Sequence, residues 1–285
     1  MLGTAFFAYS TKLTADAARV LGRDADAKRY DALFDEIKQA FNRAYVAPDG
    51  RIKGNTQTCY VLALYFDLLP TEKRQAAARY LVDDIRARKT HLSTGFIGTS
   101  CLMPVLAQTG NQEVAYRLLL TDGYPSWGYS IKHGATSIWE RWDGWTAEKG
   151  FQDPGMNSFA HYSFGAVARW MFQSVAGIDT DGPGFQRLVI RPQPGPGLTW
   201  VKAGYHSPQG PIATAWKTEG KVLSFDMTIP ANAAATLYLP AAKPEQLQES
   251  DRPAAQSEGV KLLRTEPRQV VYELRAGQYR FRVDR

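Results

Sequence analysis

At 285 residues, 44% hydrophobic and 12% aromatic, the chain is long enough for two domains or one large one with a bulky core. Its net charge of +6 is spread: residues 1–179 carry 20 basic and 18 acidic side chains, residues 180–285 carry 14 and 10, and no run of Lys/Arg marks a nucleic-acid footprint. No apolar run approaches the ~20 residues of a membrane span, so neither nucleic acid nor membrane is expected as a partner.

The first residues, Met1 to Phe7, are apolar, without a basic lead or a clear cleavage site. They do not read as a signal peptide, and the compartment is left open. They read as a helix that starts without preamble, as in a piece of a longer protein. Phe6, Tyr9, Leu13, Ala17 and Val20 recur at threes and fours, with Gly22 as a stop. Tyr30, Leu33, Ile37 and Phe41 repeat the pattern, and Pro48-Asp49-Gly50 marks a turn. A third helix is expected from near Thr56 to Leu69. A fourth follows Pro70, with Thr71 as candidate N-cap. A fifth carries Leu102, Val105 and Leu106, a sixth Val114 to Leu120, and a seventh runs from about Ser158 to Val175. Two stretches interrupt the helical period, Thr90 to Gly95 and residues 121–157, and long irregular segments in compact domains are usually functional.

Near Thr180 the period changes to two. Ile212, Thr214 and Trp216 share a face; Phe225, Met227 and Ile229 alternate with Ser224, Asp226 and Thr228; Tyr279, Phe281 and Val283 alternate with Arg280 and Arg282. With Gly/Pro turns between them, these short strands predict an antiparallel β-sandwich. Lys243 to Gly259 reads as an exposed loop. The expected organisation is residues 1–178 helical and residues 179–285 a sandwich.

Four of the seven tryptophans, Trp127, Trp139, Trp142 and Trp145, fall in one short window around Glu140. Flat aromatic faces beside a carboxylate suit a sugar cleft, where rings stack on C–H faces and the acid takes a proton or steers a water. Alternatively, Glu140 is a loop glutamate held between core aromatics. Trp142 and Trp145 either stack on sugar or line the core. Thr94 and Gly95 either face the cleft or simply begin a helix. Cys59 and Cys101 read as buried free thiols, and no His pair among His91, His133, His161 and His206 has metal-ligand spacing. There is no phosphate loop, dinucleotide fingerprint or nucleophile elbow, so no cofactor is expected.

Three motifs in order, Tyr124-Pro-Ser-Trp-Gly-Tyr129, Gly134-Ala-Thr-Ser-Ile-Trp-Glu-Arg-Trp-Asp143 and Asn157-Ser-Phe-Ala-His-Tyr-Ser-Phe-Gly165, closely resemble the α-L-rhamnosidases of glycoside hydrolase family 78. The sandwich segments Phe185 to Gly197 and Leu198 to Trp200 are similar to them too. The resemblance implies a partial (α/α)6 barrel of about seven helices followed by an antiparallel β-sandwich, acting on rhamnose-containing glycosides or polysaccharides. It implies an inverting hydrolase with Glu140 as general base and His161 on the bound rhamnose; Trp139, Trp142, Thr94 and Gly95 complete the expected substrate contacts. Ser137 stands where Thr is more usual in this family, and Ala160 where Asn is usual. The family's acidic motif, which carries the general acid near the start of the barrel, has no match before Thr56. The chain alone is therefore expected to have little or no activity. The rival readings are a non-catalytic carbohydrate-binding remnant and an accessory half of a split enzyme. A partial barrel also leaves apolar helix faces uncovered, which predicts self-association or a partner supplying the remaining helices.

Overall fold

The computed structural model describes residues 1–284, which divide by contact into two compact units, one over residues 1–167 and one from residue 168 onward.

The first unit is helical: α1 (Leu2–Val20), α2 (Asp24–Tyr45), α3 (Gln57–Tyr65), α4 (Thr71–Ala87), α5 (Phe96–Gln108), α6 (Gln112–Leu120) and the short α7 (Trp127–Lys132). α1 buries Ala5, Ala8, Thr11, Ala15 and Ala18, a stripe of small side chains at helical spacing that lets α2 pack closely. Its larger apolar residues point elsewhere: Phe7, Leu13 and Val20 are 53%, 50% and 87% exposed. α3 is buried almost all round, between α4 and α5. Gly22 takes φ +68° just past α1, as its stop role requires.

Two helix readings change. Thr71 is the first residue inside α4, and Pro70 occupies the N-cap position without a side-chain cap, its fixed φ suiting the entry to a helix. The seventh expected helix is shorter and broken. Residues 163–166 form a 3-10 turn, Val167–Trp170 one α-helical turn (α8) and Met171–Val175 a π turn. Residues before 163 stay out of the helix because their backbone is already paired. His161 N–H donates to Ile138 O at 2.8 Å and Glu140 N–H to Ser158 O at 2.9 Å. α7 escaped the sequence reading because six residues are too few to show a period; Ser126 caps it, its hydroxyl accepting from Tyr129 N–H at 2.9 Å.

The strands are β1 (Trp145–Thr146), β2 (Gly150–Phe151), β3 (Ile178–Thr180), β4 (Arg187–Ile190), β5 (Trp200–Ser207), β6 (Gly210–Glu219), β7 (Val222–Ile229), β8 (Ala234–Leu239), β9 (Leu247–Glu249), β10 (Arg252–Pro253), β11 (Val260–Glu266), β12 (Gln269–Leu274) and β13 (Gly277–Asp284). β1 and β2 form a small hairpin in the first unit. The second unit is a sandwich of a six-stranded sheet, β10-β9-β13-β7-β6-β5, and a five-stranded sheet, β11-β12-β8-β4-β3. Pairing is antiparallel except between β4 and β8. Ile212, Thr214 and Trp216 face inward with Phe225, Met227, Tyr279 and Phe281, as the period of two predicts. Lys243 to Gly259 is not simply a loop: it holds β9 and β10 and buries Leu247, Glu249 and Ala254. β9 is fixed by pairing with β13, some 30 residues on, which its polar composition does not reveal.

Candidate active site

The irregular segment 121–165 and the break at 90–95 meet around one cleft. Gln57 positions the break. Buried at the start of α3, its Nε2 donates to Asp84 Oδ2 (2.9 Å) and His91 O (3.2 Å), while its Oε1 accepts from Ser93 N–H at 2.8 Å. Thr94 is buried next to it and shares a 2.8 Å hydrogen bond with Thr99 of α5. Its carbonyl accepts from the indole N–H of Trp142 at 2.8 Å. That one contact joins two segments 48 residues apart.

Trp142 lies flat on Phe164, with centroids 3.8 Å apart and planes 7° off parallel, and Trp127 meets it edge-on. On one side of this stack opens a cleft of about 400 Å³, lined by Thr94, Gly95, Phe96, Tyr124, Glu140 and Asp143 among others. The Trp142–Phe164 pair also borders a second, more apolar cavity of about 290 Å³, beside α7 and residues 135–139.

Glu140 is half-buried at the cleft and held from both ends. Its N–H donates to Ser158 O, and Ser158 N–H donates to its Oε2 at 2.8 Å. Oε1 has no hydrogen-bond partner among the described residues. Arg141 does not turn toward Glu140. Its Nε and Nη2 donate to the two oxygens of Asp143, at 3.0 and 2.9 Å. This fork raises the Arg141 pKa, first through the hydrogen bond and then through the charge of Asp143. Burial pushes the Tyr124 hydroxyl up, and the charge of Asp143 adds to it. Asn157 steadies the strap that carries Ser158, its Nδ2 donating to Gly144 O at 2.8 Å.

The expected site residues therefore separate. Glu140, Trp142, Thr94 and Gly95 come together on the cleft. Trp139 is buried and lines the second cavity, because its position next to Glu140 in an extended segment turns it to the other side. His161 stands beside the cleft residue Phe96, ring centroids 6.3 Å apart. Its Nδ1 accepts from Ser163 N–H at 3.4 Å. Trp145 packs on His133, away from the lining of this cleft. Sequence reading missed Tyr124, Asp143 and Phe96. The first two lie inside the motifs already singled out, and Phe96 was visible only as an apolar residue beside Gly95. Among the described residues no three His, Cys, Asp or Glu side chains group as metal ligands, and no helix is long and apolar enough to cross a membrane.

Residues 1–175 match the model of the bacterial alpha-L-rhamnosidase 6 hairpin glycosidase domain, and residues 177–253 that of the bacterial alpha-L-rhamnosidase C-terminal domain. The chain belongs to the bacterial α-L-rhamnosidase family. An alpha-L-rhamnosidase of Streptomyces avermitilis is 43% identical over 283 residues, covering 99% of this chain and 26% of that protein. One from Formosa agariphila is 38% identical, covering 99% and 30%. The crystal structure of the Streptomyces avermitilis enzyme complexed with L-rhamnose superposes with a TM-score of 0.92 over 99% of this chain and 26% of that one. The structure of the α-L-rhamnosidase from Dictyoglumus thermophilum is 31% identical and superposes at 0.89 over 99% and 31%. The chain thus spans between a quarter and a third of the length of these relatives, as a partial six-hairpin barrel followed by the sandwich.

Proposed function

We propose that this chain supplies the general base for inverting hydrolysis of terminal α-L-rhamnosyl groups, and that Glu140 is that base. The observation that carries the reading is the clamp on Glu140. One carboxylate oxygen is fixed by Ser158 N–H, and the other is free at a cleft walled by Trp142, Phe96 and Phe164. A base held in one rotamer can face a water consistently, and aromatic walls accept the C–H faces and methyl group of a deoxysugar. In an inverting enzyme the water lies between this base and a sugar whose leaving oxygen is protonated by an acid roughly 6.5–9.5 Å away. Trp142, Phe96, Thr94 and Gly95 form the walls, and His161, beside Phe96, meets the sugar from the cleft's edge.

Asp143 is the other carboxylate on the cleft, but both its oxygens are engaged by Arg141, which suits a wall residue and not a proton donor. We infer that the general acid is not carried by this chain. A second polypeptide segment would supply it, together with helices that cover the exposed apolar residues of α1. Rhamnose-containing glycosides or polysaccharides are the substrates of the assembled site.

The test is release of L-rhamnose from an aryl α-L-rhamnoside. The purified chain is expected to give next to none. Adding the N-terminal part of a related rhamnosidase barrel should restore turnover to wild type but not to Glu140→Gln. Robust release by the chain alone would overturn the missing-acid reading, and undiminished turnover by Glu140→Gln would remove Glu140 from the mechanism.

A further inference from the structure

The outer face of the six-stranded sheet holds a polar trough that the proposed rhamnosidase chemistry does not use. Strand register places its residues in rungs. Lys202, Ala215, Asp226 and Arg280 lie side by side across β5, β6, β7 and β13. The next rung reads Gly204, Ala213, Thr228 and Gln278. Alanines and a glycine on the β5–β6 side make a low floor, and long polar side chains stand on both flanks, enclosing about 540 Å³ that reaches to Ser250.

Beside the β5 end of this trough stands Trp200, 64% exposed. It is two residues from Lys202 on the same strand. The two therefore share a face of the sheet, about 7 Å apart along it. A tryptophan this exposed contributes little to the core, and its flat face is open as a stacking platform. The charges on this face are nearly balanced. Arg280 pairs with Asp226 at 3.0 Å, Arg282 with Asp284 at 3.1 Å, and Lys217 with Glu219. Lys202 has no ion-pair partner among the described residues, so one cation is left over next to the indole.

We propose that this face is a second carbohydrate site, taking an extended glycan chain that bears uronate carboxylates. Trp200 stacks on one sugar ring. The neighbouring ring lies in the trough with its carboxylate on Lys202, and its hydroxyls bond Gln278, Thr228 and the Asp226–Arg280 pair. A single surplus cation matches the sparse charge of such a glycan and not the one phosphate per nucleotide of a nucleic acid. The site would hold polymer near the chain without taking part in bond cleavage.

Affinity electrophoresis of the full 285-residue chain through gels containing polygalacturonate, dextran or single-stranded DNA tests this. Polygalacturonate is expected to retard the wild type selectively, with excess free L-rhamnose making no difference. Trp200→Ala should weaken the interaction at least tenfold and Lys202→Glu severalfold. Both residues are exposed, so unchanged circular dichroism should accompany the loss. No retardation, retardation unaltered in Trp200→Ala, or competition by L-rhamnose would overturn the proposal. So would equal retardation by dextran or by DNA. None of these readouts depends on turnover, so a failed Glu140 mechanism leaves the result interpretable.

Discussion

The two units use one device to different ends. In the sandwich, Trp216 is buried and its indole N–H donates to Val175 O at 2.7 Å. In the helical unit, Trp142 donates to Thr94 O at 2.8 Å, but one side of its ring borders open clefts. A buried indole with a satisfied N–H serves stability. A half-buried one, pinned at its N–H and backed by Phe164, leaves a fixed aromatic face open to a cleft. The difference lies less in the side chain than in what the rest of the fold packs over it.

Substitutions can sharpen or break this contrast. The largest effect is expected from Glu140→Gln in the reconstituted enzyme, a loss of about 10²–10⁴-fold in turnover, since that is what a positioned proton acceptor typically contributes. The melting temperature should stay put, because a glutamine oxygen can still accept from Ser158 N–H. A large drop in stability would instead make Glu140 a structural residue. Trp216→Ala should do the reverse, costing about 3–5 kcal/mol in a denaturant melt, as for other buried aromatic truncations. A loss under about 1 kcal/mol would mean that the sandwich core does not depend on it.

Trp142→Phe keeps an aromatic wall but removes the donor to Thr94. The Thr99 hydroxyl lies 3.3 Å from Thr94 O and 2.9 Å from Gly95 O and can turn to Thr94 O as a substitute donor, so about 1 kcal/mol of stability should go. L-rhamnose affinity, read by calorimetry on the reconstituted enzyme, should fall more than that change in stability implies. An unchanged affinity would separate the indole tether from the site.

The smallest effect is expected at Tyr272, buried in the sandwich with a hydroxyl that has no partner among the described residues. Burial, followed by the charge of Glu245, pushes its pKa up to about 12. The folded protein therefore holds this proton more tightly than the unfolded chain, whose tyrosine titrates near 10. The associated stability is intact below about pH 10 and is lost as pH rises toward 12. Tyr272→Phe should be neutral or slightly stabilising at pH 7 and should flatten the alkaline limb of the stability profile. A clear loss at pH 7 would mean that the hydroxyl is satisfied in solution.

Periodicity alone determined the two architectures. Threes and fours through Ile37, Phe41 and Leu102, then twos through Trp216, Phe225 and Phe281, are local patterns set by which face each element must bury, whereas in α1 the stripe through Leu13 and Val20 is exposed and the alanines are buried. The crowding of indoles around Glu140 was equally legible, because it is a matter of composition within one window. Tertiary structure alone decided which of those indoles reach the cleft. Trp139 and Trp142 are three residues apart, yet only the second meets Thr94. The strap from Ser158 to His161 reads as helix until its backbone is claimed by Ile138 and Glu140. Even Leu247–Glu249, within the Lys243 to Gly259 stretch, is a strand only because β13 is there to pair with it. Hydrogen bonds between segments 18 to 48 residues apart leave no period in the sequence, since the partner that satisfies each donor is supplied only by the folded chain.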